Sequence, residues 1–454
     1  MRKYFGTDGI RRIANTELTP ELVYKVAKAG AYVLSKHADH RPTILIGRDT
    51  RISGTLIESA MVAGFLSYGA NVKLLGVLPT PAVAYLTRKL NADASVVISA
   101  SHNTFEFNGI KFFSNKGMKI PDTLEEEIEE IMESGKLDEL TAVNDKIGVS
   151  EYCMDLKDEY VYFLRKNFDD DVESYDFSNF TVGIDTANGA TYEVAEKVFK
   201  ALGINYKIIN NSPDGININH DCGSTHLEGL KKFVLDNKLD LGIAYDGDGD
   251  RCLAIDEKGN MIDGDVLLSI ISNTLRRKGK LSKDTIVATV MSNLGLNKYT
   301  SDNGLKLIQT KVGDRYVLEE MLKDGYNLGG EQSGHVILLD YNPTGDGILT
   351  SLMLIKSMME EGVKASELRS RIKLYPQVLI NAKVNSEKKY GYKDDKEIND
   401  AIDKLEKEFA GNGRVLIRPS GTEPLVRVMI EGEDQEYITK KAQEIADLIA
   451  KKLK

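Results

Sequence analysis

Ser101 is the residue whose surroundings say most about chemistry. It lies in the segment Ser-Ala-Ser-His-Asn at 99–103, at the end of the apolar run 94–98. A serine hydroxyl in such a place can carry a phosphoryl group if a base or an electrostatic field supports it. A polar loop held by local side-chain hydrogen bonds is the alternative, and residues 101–103 taken alone favour that alternative.

The residues after Ser101 predict a strand that returns toward it. Asn108 and Gly109 form a turn signal, and the run 109–113 has the composition of a strand. Such a strand would bring Lys111 back beside Ser101. Lys111 could then shuttle a proton or stabilise developing charge.

Three carboxylates at alternate positions form a stronger motif. Asp246, Asp248 and Asp250 project to one side of an extended segment, and the glycines between them let the backbone approach an ion closely. Mg²⁺ binds a few carboxylates together with phosphate oxygens, and Arg251 could bridge this metal and a phosphate. A calcium-binding EF-hand loop has a similar spacing, but Arg251 stands where that loop needs glycine, and the run 241–245 predicts a strand. An acidic turn without a metal is the remaining alternative.

Two further loops could bind parts of a phosphorylated sugar. The loop that begins at Arg418 offers hydroxyls, free N–H groups and guanidinium groups, as a phosphate cradle does, although a plain Pro/Gly turn would look similar. Its candidate ligands are Arg418, Ser420, Gly421, Thr422 and Arg427. The loop 329–335 presents Glu331, Ser333 and His335, which suit sugar hydroxyls, although a histidine alone is more often structural.

Short apolar runs alternate with helix-period segments, which indicates layered α/β domains with largely parallel sheets. The predicted strands are 43–46, 72–75, 95–98, 181–184, 241–244, 286–290 and 335–339. The predicted amphipathic helices are 124–132, 398–409 and 438–449. Within the first of them, the acidic stretch 125–130 is expected to be a solvated face.

Three polar, glycine-containing loops each close a predicted strand before a helical pattern, at 46–49, 184–189 and 290–295. Any α/β protein contains such loops, but three similar units would explain the repetition. We therefore predict three similar α/β domains with mixed, largely parallel sheets and a C-terminal α+β domain. The predicted limits are 1–150 with the serine loop, 151–253 with the acidic loop, 254–368 with the sugar loop and 369–454 with the phosphate loop.

Charge and composition exclude several partners. The chain carries 59 basic and 69 acidic side chains, and its net charge of −10 repels nucleic acid and anionic membranes. Three widely spaced cysteines give no disulfide framework, and no apolar run approaches the length of a membrane span, so we expect a cytoplasmic protein. Walker A and HExxH motifs are absent, which argues against a nucleotide hydrolase and a zinc enzyme.

Together these segments resemble the α-D-phosphohexomutase superfamily over essentially the whole chain. The resemblance begins at Phe-Gly-Thr-Asp-Gly-Ile-Arg (5–11), passes through the serine and acidic loops and ends at 418–427. Three further segments look like the amino-sugar branch of this family: 222–226, 312–317 and 331–335. Thr104 departs from the pattern, since it stands where the family usually has proline, and loop rigidity could differ there.

The resemblance implies four domains around one central cleft, each contributing one motif. Ser101 would be the phosphoserine, and its phosphate would join the three aspartates on one Mg²⁺ per subunit. Lys111, Arg11 and His102 would lie beside the transferring group. The sugar would be bound by Arg251, Glu331, Ser333 and His335, and the C-terminal loop would hold the phosphate that is not reacting.

The implied reaction is the reversible conversion of glucosamine 6-phosphate, a small amino-sugar phosphate, into glucosamine 1-phosphate for cell-wall precursor synthesis. Phospho-Ser101 and a glucosamine 1,6-bisphosphate would carry the phosphoryl group, and a hexose 1,6-bisphosphate would be the activator. The alternatives are a mutase for mannose or glucose phosphates, a metal-dependent phosphatase that uses Ser101, and a sugar-phosphate-binding protein without activity. A homodimer is compatible with the sequence, which does not fix the oligomeric state.

Overall fold

The structure is a computed structural model that describes residues 3–6, 8–169, 175–420 and 423–454. Its strands are β1 (Ile10–Ile13), β2 (Thr43–Arg48), β3 (Asn71–Val77), β4 (Ala94–Ile98), β5 (Phe107–Ser114), β6 (Ser150–Tyr152), β7 (Thr181–Asp185), β8 (Asn205–Ile209), β9 (Leu241–Tyr245), β10 (Cys252–Asp256), β11 (Met261–Ile262), β12 (Thr285–Thr289), β13 (Lys306–Thr310), β14 (Leu328–Gly330), β15 (Val336–Leu338), β16 (Gln377–Lys383), β17 (Arg414–Pro419) and β18 (Leu425–Glu431). Its helices are α1 (Pro20–Ser35), α2 (Gly54–Tyr68), α3 (Thr80–Lys89), α4 (Asp122–Glu133), α5 (Lys157–Asp169), α6 (Tyr192–Ala201), α7 (Glu228–Asn237), α8 (Gly264–Arg277), α9 (Leu294–Asp302), α10 (Asp314–Asp324), α11 (Gly347–Glu361), α12 (Ala365–Arg369), α13 (Lys396–Phe409) and α14 (Gln435–Lys452).

The chain divides into two compact units, residues 1–291 with 306–370 and residues 292–305 with 371–454. The first unit contains three mixed sheets, with strand orders β1-β5-β4-β2-β3-β6, β11-β10-β9-β7-β8 and β13-β12-β14-β15. In each sheet the central strands pair in parallel, and one or two strands at one edge pair antiparallel. The second unit contains the antiparallel sheet β16-β18-β17, on which α14 packs. The predicted fold class is confirmed, and the exact domain limits stay predictions.

The apolar runs of the sequence form the central strands. No residue of β4, β9 or β12 is exposed. Parallel strands covered on both faces need apolar side chains at successive positions, and short unbroken runs are therefore the expected pattern. Each of the predicted strands is present, and the three predicted amphipathic helices lie in α4, α13 and α14. Among the described residues, no helix has both the length and the apolar character that a membrane crossing requires.

The turn predicted at Asn108 and Gly109 is wrong. Both residues lie within β5, and the turn before this strand lies in residues 101–106. A Cβ atom on Gly109 would lie 2.5 Å from the carbonyl oxygen of Ser99 and 2.7 Å from that of Ile10. Glycine is needed here because two neighbouring backbones approach closely, and not because the chain turns.

The solvated face predicted for the acidic stretch 125–130 is wrong for two of its residues. Glu125 is 2% exposed and Glu129 is 8% exposed, whereas Glu126 and Glu130 are exposed. A carboxylate is buried only where charged or N–H groups compensate it. The partners of these two glutamates lie elsewhere in the chain, and local periodicity carries no sign of them.

Candidate active site

The hydroxyl of Ser101 is buried against the acidic loop. Ser101 is 2% exposed, and its Oγ donates a hydrogen bond of 2.8 Å to Oδ2 of Asp246. Nδ1 of His102 lies 3.3 Å from the same oxygen. The backbone N–H of Ser101 donates to Oγ of Ser99 at 2.9 Å. The serine oxygen is thus fixed beside a carboxylate, in a position from which it could carry a phosphoryl group.

A buried arginine holds the backbone of this serine loop. The Arg51 side chain is fully buried and pairs with Asp49, with Nε 2.8 Å from Oδ2. Its Nη2 donates to the carbonyl oxygens of Ser101 and Asn103 at 3.0 and 2.7 Å. Its Nη1 donates to the carbonyl of Thr104, a main-chain contact that proline would also allow. Sequence reasoning missed Arg51 because carbonyl groups give no signal in a sequence.

The serine loop and the acidic loop meet backbone to backbone. A Cβ atom on Gly247 would lie 2.5 Å from the carbonyl oxygen of Ser101. Nδ2 of Asn219 donates to the carbonyls of Ser101 and Asn103 at 2.8 Å each, and sequence reasoning missed this residue as well. This glycine therefore makes room for the serine loop.

The three aspartates of the acidic loop form a buried cluster. Carboxylate oxygens of Asp246, Asp248 and Asp250 all lie within 4.8 Å of one another, and none of the residues is more than 4% exposed. Burial, together with the charges of Asp250 and Asp248, raises the pKa of Asp246 well above its usual value. Oδ1 of Asp248 and Oδ1 of Asp250 are buried and have no hydrogen-bond partner within the described part of the chain. Buried, mutually repelling oxygens that accept no hydrogen bond fit the binding of a cation.

A row of alternating charges extends from this cluster. Nζ of Lys111 lies 2.9 Å from Asp248 and 3.1 Å from Asp8. Lys119 contacts Asp8 and lies 2.6 Å from Asp314. Burial opposes the charge of Lys111, but Asp248 and Asp8 outweigh it and raise the pKa of this lysine. Burial likewise disfavours the Asp8 carboxylate, but Lys111 and Lys119 hold its pKa well below the usual range.

His335 lies between the end of this row and the acidic cluster. Its Nδ1 is 3.5 Å from Asp250, and its Nε2 is 3.5 Å from Asp314. The backbone N–H of Gly345 donates to Nε2 at 2.9 Å. With Nε2 as an acceptor, the neutral ring carries its proton on Nδ1, toward Asp250.

A cavity of about 550 Å³ opens beside these groups. Predicted site residues that line it are Arg11, His102, Asp250, Arg251, Glu331 and His335. Asp8, Lys119 and Asp314 line it as well, and sequence reasoning missed them, although two of the three lie in the segments 5–11 and 312–317. Burial, reinforced by the charges of Arg251 and Arg11, lowers the pKa of His102 to about 4, so that this imidazole is neutral near pH 7.

Three of the four predicted sugar-binding residues, Arg251, Glu331 and His335, line this cavity. Oε1 of Glu331 accepts the backbone N–H of Gly313 at 3.1 Å. Burial, then the charge of Asp314, raises the pKa of Glu331. Oγ of Ser333 is buried and lacks a hydrogen-bond partner among the described residues. Nη1 of Arg11 donates to Oδ1 of Asn103 at 2.9 Å, which links the cavity wall to the serine loop.

The C-terminal loop belongs to the second unit. Arg418 and Arg427 are cross-strand partners in β17 and β18. Burial, then the neighbouring charge of Arg427, lowers the pKa of Arg418. Oγ of Ser420 accepts the N–H of Glu423 at 3.2 Å. Two guanidinium groups side by side attract an anion. Gly421 and Thr422 lie outside the described residues.

Four family profiles match the chain. Those described as the alpha/beta/alpha domains I, II and III of phosphoglucomutase/phosphomannomutase match residues 2–139, 158–259 and 263–375. The profile described as the C-terminal domain of the same proteins matches residues 379–448. The chain therefore belongs to the phosphoglucomutase/phosphomannomutase family.

Individual relatives agree with this assignment. A phosphoglucosamine mutase of Ruminiclostridium cellulolyticum is 53% identical over 453 residues, which cover 100% of both chains. The crystal structure of a putative phosphomannomutase from Thermus thermophilus superposes with a TM-score of 0.79 at 23% identity and covers 98% of each chain. The structure of Aspergillus fumigatus N-acetylphosphoglucosamine mutase, in complex with GlcNAc-6P and magnesium, has a TM-score of 0.70 at 16% identity and covers 100% of this chain and 96% of its own. The two solved structures share the fold.

Gly247→Ala should destabilise the first unit, because its Cβ would force the acidic loop away from the Ser101 carbonyl. Overpacking of this kind costs about 1–3 kcal/mol. Gly229→Ala is the matched control, since nothing lies within 4 Å of its added Cβ. Thermal unfolding should show a lower Tm for Gly247→Ala and an unchanged or higher Tm for Gly229→Ala. Equal melting temperatures would show that the two loops tolerate separation.

Proposed function

We propose that this chain is an isomerase that converts glucosamine 6-phosphate reversibly into glucosamine 1-phosphate by intramolecular phosphoryl transfer. The observation that carries the proposal is the buried Ser101 hydroxyl, 2.8 Å from an aspartate of a cation-binding cluster and close to a polar cavity. The name of the R. cellulolyticum relative supports the amino sugar as substrate. The product would feed UDP-N-acetylglucosamine and cell-wall precursor synthesis.

The reaction proceeds in two half-reactions. In the first, the bond between phosphorus and Oγ of phospho-Ser101 breaks as a bond to the sugar 1-oxygen forms, and the proton of the 1-hydroxyl is delivered to the serine oxygen. The product is glucosamine 1,6-bisphosphate, so a hexose 1,6-bisphosphate would act as the activator. After the intermediate turns around, its 6-phosphoryl group passes to Ser101 and the 6-hydroxyl is restored.

The residues around Ser101 position and polarise the reacting groups. Arg51 fixes the serine loop, so that little reorganisation accompanies transfer. The ammonium group of Lys111, held between Asp248 and Asp8, and the guanidinium group of Arg11 supply positive charge near the transferring group. His102 acts as a neutral hydrogen-bonding group beside the serine oxygen.

The acidic cluster is the proposed site of one Mg²⁺ per subunit, held by Asp246, Asp248 and Asp250 together with Ser101 or its phosphate. Hard oxygen donors of this kind, few in number and combined with phosphate oxygens, are the ligands that Mg²⁺ prefers. Magnesium is present in the A. fumigatus complex. When bound, Mg²⁺ neutralises charge on the phosphoryl oxygens.

Binding of the sugar phosphate is assigned to two groups of residues. Glu331 and Ser333 bind sugar hydroxyls. Glu331 lines the cavity together with Arg251 and His335, and the hydroxyl of Ser333 has no hydrogen-bond partner among the described residues. The phosphate that does not react is bound by the C-terminal loop through Arg418, Ser420, Gly421, Thr422 and Arg427. We also propose a cytoplasmic location, which suits the three free cysteines, and a homodimer stays a prediction.

The reaction is tested by ³¹P NMR of glucosamine 6-phosphate with Mg²⁺ and a trace of hexose 1,6-bisphosphate. An anomeric 1-phosphate signal without inorganic phosphate is the expected result. Inorganic phosphate alone would indicate a metal-dependent phosphatase. Turnover of mannose or glucose phosphates but not of the amino sugar would indicate a phosphomannomutase or phosphoglucomutase.

Ser101→Ala should abolish isomerisation, by about 10³-fold or more, because the phosphoryl carrier is removed. Ser134→Ala, at an exposed position, is the matched control and should keep full activity. Intact-mass measurement after incubation with hexose 1,6-bisphosphate should show one added phosphoryl group in the control and none in Ser101→Ala. Full activity of Ser101→Ala would rule out the covalent mechanism.

Mg²⁺ should raise the Tm of the chain after EDTA treatment, because a ligand that binds only the folded state stabilises it. At about 100 times Kd this stabilisation is ~2.7 kcal/mol. The rise in Tm caused by Mg²⁺ should be lost in Asp250→Asn. It should be retained in Asp39→Asn, a control in which the altered side chain is fully exposed. An equal increment from NaCl at the same ionic strength would show a salt effect without a cation site.

Arg418→Met should raise KM for the sugar phosphate about 10-fold or more, with a smaller change in kcat, because a charged anchor of the non-reacting phosphate is lost. Lys440→Met, on the exposed face of α14, removes the same charge and should leave KM unchanged. Steady-state kinetics of both variants measure KM and kcat and so test this expectation. If KM were the same in both, the C-terminal loop would not be the phosphate site.

A further inference from the structure

Glu129 is a buried carboxylate that accepts three consecutive backbone N–H groups. Its Oε2 accepts the N–H of Lys3 at 2.7 Å, and its Oε1 accepts those of Tyr4 and Phe5 at 2.7 and 2.8 Å. Hydrogen bonds to an ionised acceptor are roughly twice as strong as neutral ones. Tyr4 and Phe5 line the active-site cavity, and the same segment leads directly to Asp8.

Glu125, one turn earlier in α4, holds the opposite wall. Its Oε1 accepts a hydrogen bond of 3.0 Å from Nη2 of Arg315, and Nη1 of Arg315 contacts Asp122. Arg315 lies in the first turn of α10, immediately after the cavity-lining residues Gly313 and Asp314. A guanidinium group bound to two carboxylates on one helix is fixed in both position and orientation.

The two glutamates are four residues apart and so lie on the same face of α4. The apolar side of this helix, with Ile128 and Met132, packs in the core of the first sheet together with Phe5. Apolar residues at 125 and 129 would serve that packing equally well, because buried charge pairs seldom stabilise more than apolar side chains of the same size. Packing alone therefore does not account for the two buried carboxylates.

We propose that α4 is a positioning element of the active site. Glu129 fixes the segment that carries Asp8, Glu125 fixes the loop that carries Asp314, and the two walls then meet on Lys119, which contacts both aspartates. The proposal rests on the proposed function only in that the cavity between these walls is taken to bind the substrate.

The two carboxylates act on different steps. Asp8 contacts Lys111 at 3.1 Å, so displacement of its segment disturbs the charge beside Ser101 and lowers kcat. The loop held by Glu125 donates the Gly313 N–H to Glu331 at 3.1 Å, so displacement of that loop disturbs sugar binding and raises KM. A general loss of folded protein would instead lower kcat in both cases and leave KM unchanged.

The experiment compares Glu129→Ala and Glu125→Ala in the full chain with Glu130→Ala, an exposed residue of the same helix. Hydrogen exchange should show loss of protection of at least about 10-fold at residues 3–6 in Glu129→Ala and at residues 312–316 in Glu125→Ala. Kinetics should show kcat lowered about 10- to 100-fold in Glu129→Ala and KM raised about 10-fold in Glu125→Ala. Glu130→Ala should match the unaltered chain in both measurements.

Kinetics use whichever hexose phosphate the unaltered chain converts, so a wrong sugar in the proposed function does not affect the result. Hydrogen exchange tests the two contacts even if no hexose phosphate is converted. If Glu129→Ala does not fold, Glu129→Gln keeps an oxygen for Tyr4 and Phe5, loses the bond to Lys3 and should show a smaller loss of protection at residues 3–6. The proposal would be overturned if hydrogen-exchange protection were unchanged in Glu129→Ala and Glu125→Ala, or if Glu130→Ala lost the same protection. It would also be overturned if kcat fell in both glutamate variants while KM stayed constant.

Discussion

Repulsion among three buried carboxylates is the constraint on which the rest of the site depends. Asp246, Asp248 and Asp250 lie within 4.8 Å of one another at the end of β9. Two unit charges 4 Å apart interact with about 4 kcal/mol at an effective dielectric constant of 20, so such a cluster forms only where positive charge is brought to it. Lys111 lies 2.9 Å from Asp248, and Nε of Arg251 lies 3.9 Å from Oδ1 of Asp250. Oδ1 of Asp248 and Oδ1 of Asp250 accept no hydrogen bond from the described residues, which fits the binding of a cation.

The charges that compensate this cluster need compensation of their own. Lys111 forms ion pairs with Asp248 and with Asp8. Lys119 forms ion pairs with Asp8 and with Asp314, so that each lysine contacts two carboxylates. Removal of one member leaves a buried charge without its partner, which costs far more than a surface pair contributes. Asp8 precedes β1, Lys111 lies in β5 and Asp314 begins α10, whereas the cluster itself follows β9. The site therefore exists only when these parts of the first unit are assembled.

The sequence predicts what local patterning controls. Apolar runs predict the central strands. Residues 246–250 predict the acidic cluster, because aspartates at alternate positions lie close together whatever the rest of the chain does. Contacts between residues that are distant in the sequence have no comparable local pattern. Arg51 binds carbonyl groups, Glu129 binds N–H groups, and Gly109 is required by two adjacent backbones, so each of these roles depends on register and packing that periodicity does not contain.

The backbone of Ser101 adopts a strained conformation that bears on the proposed role of its hydroxyl. Its φ of +51° lies in the left-handed region, which costs a non-glycine residue roughly 1–2 kcal/mol. Glycine would adopt this conformation without strain, as it does elsewhere in the chain, but it has no side-chain oxygen. The hydrogen bonds from Arg51 and Asn219 to the Ser101 carbonyl, and the space left by Gly247, hold the strained loop in place. Strain that is maintained by so many groups at one hydroxyl supports the proposal that Ser101 carries the phosphoryl group.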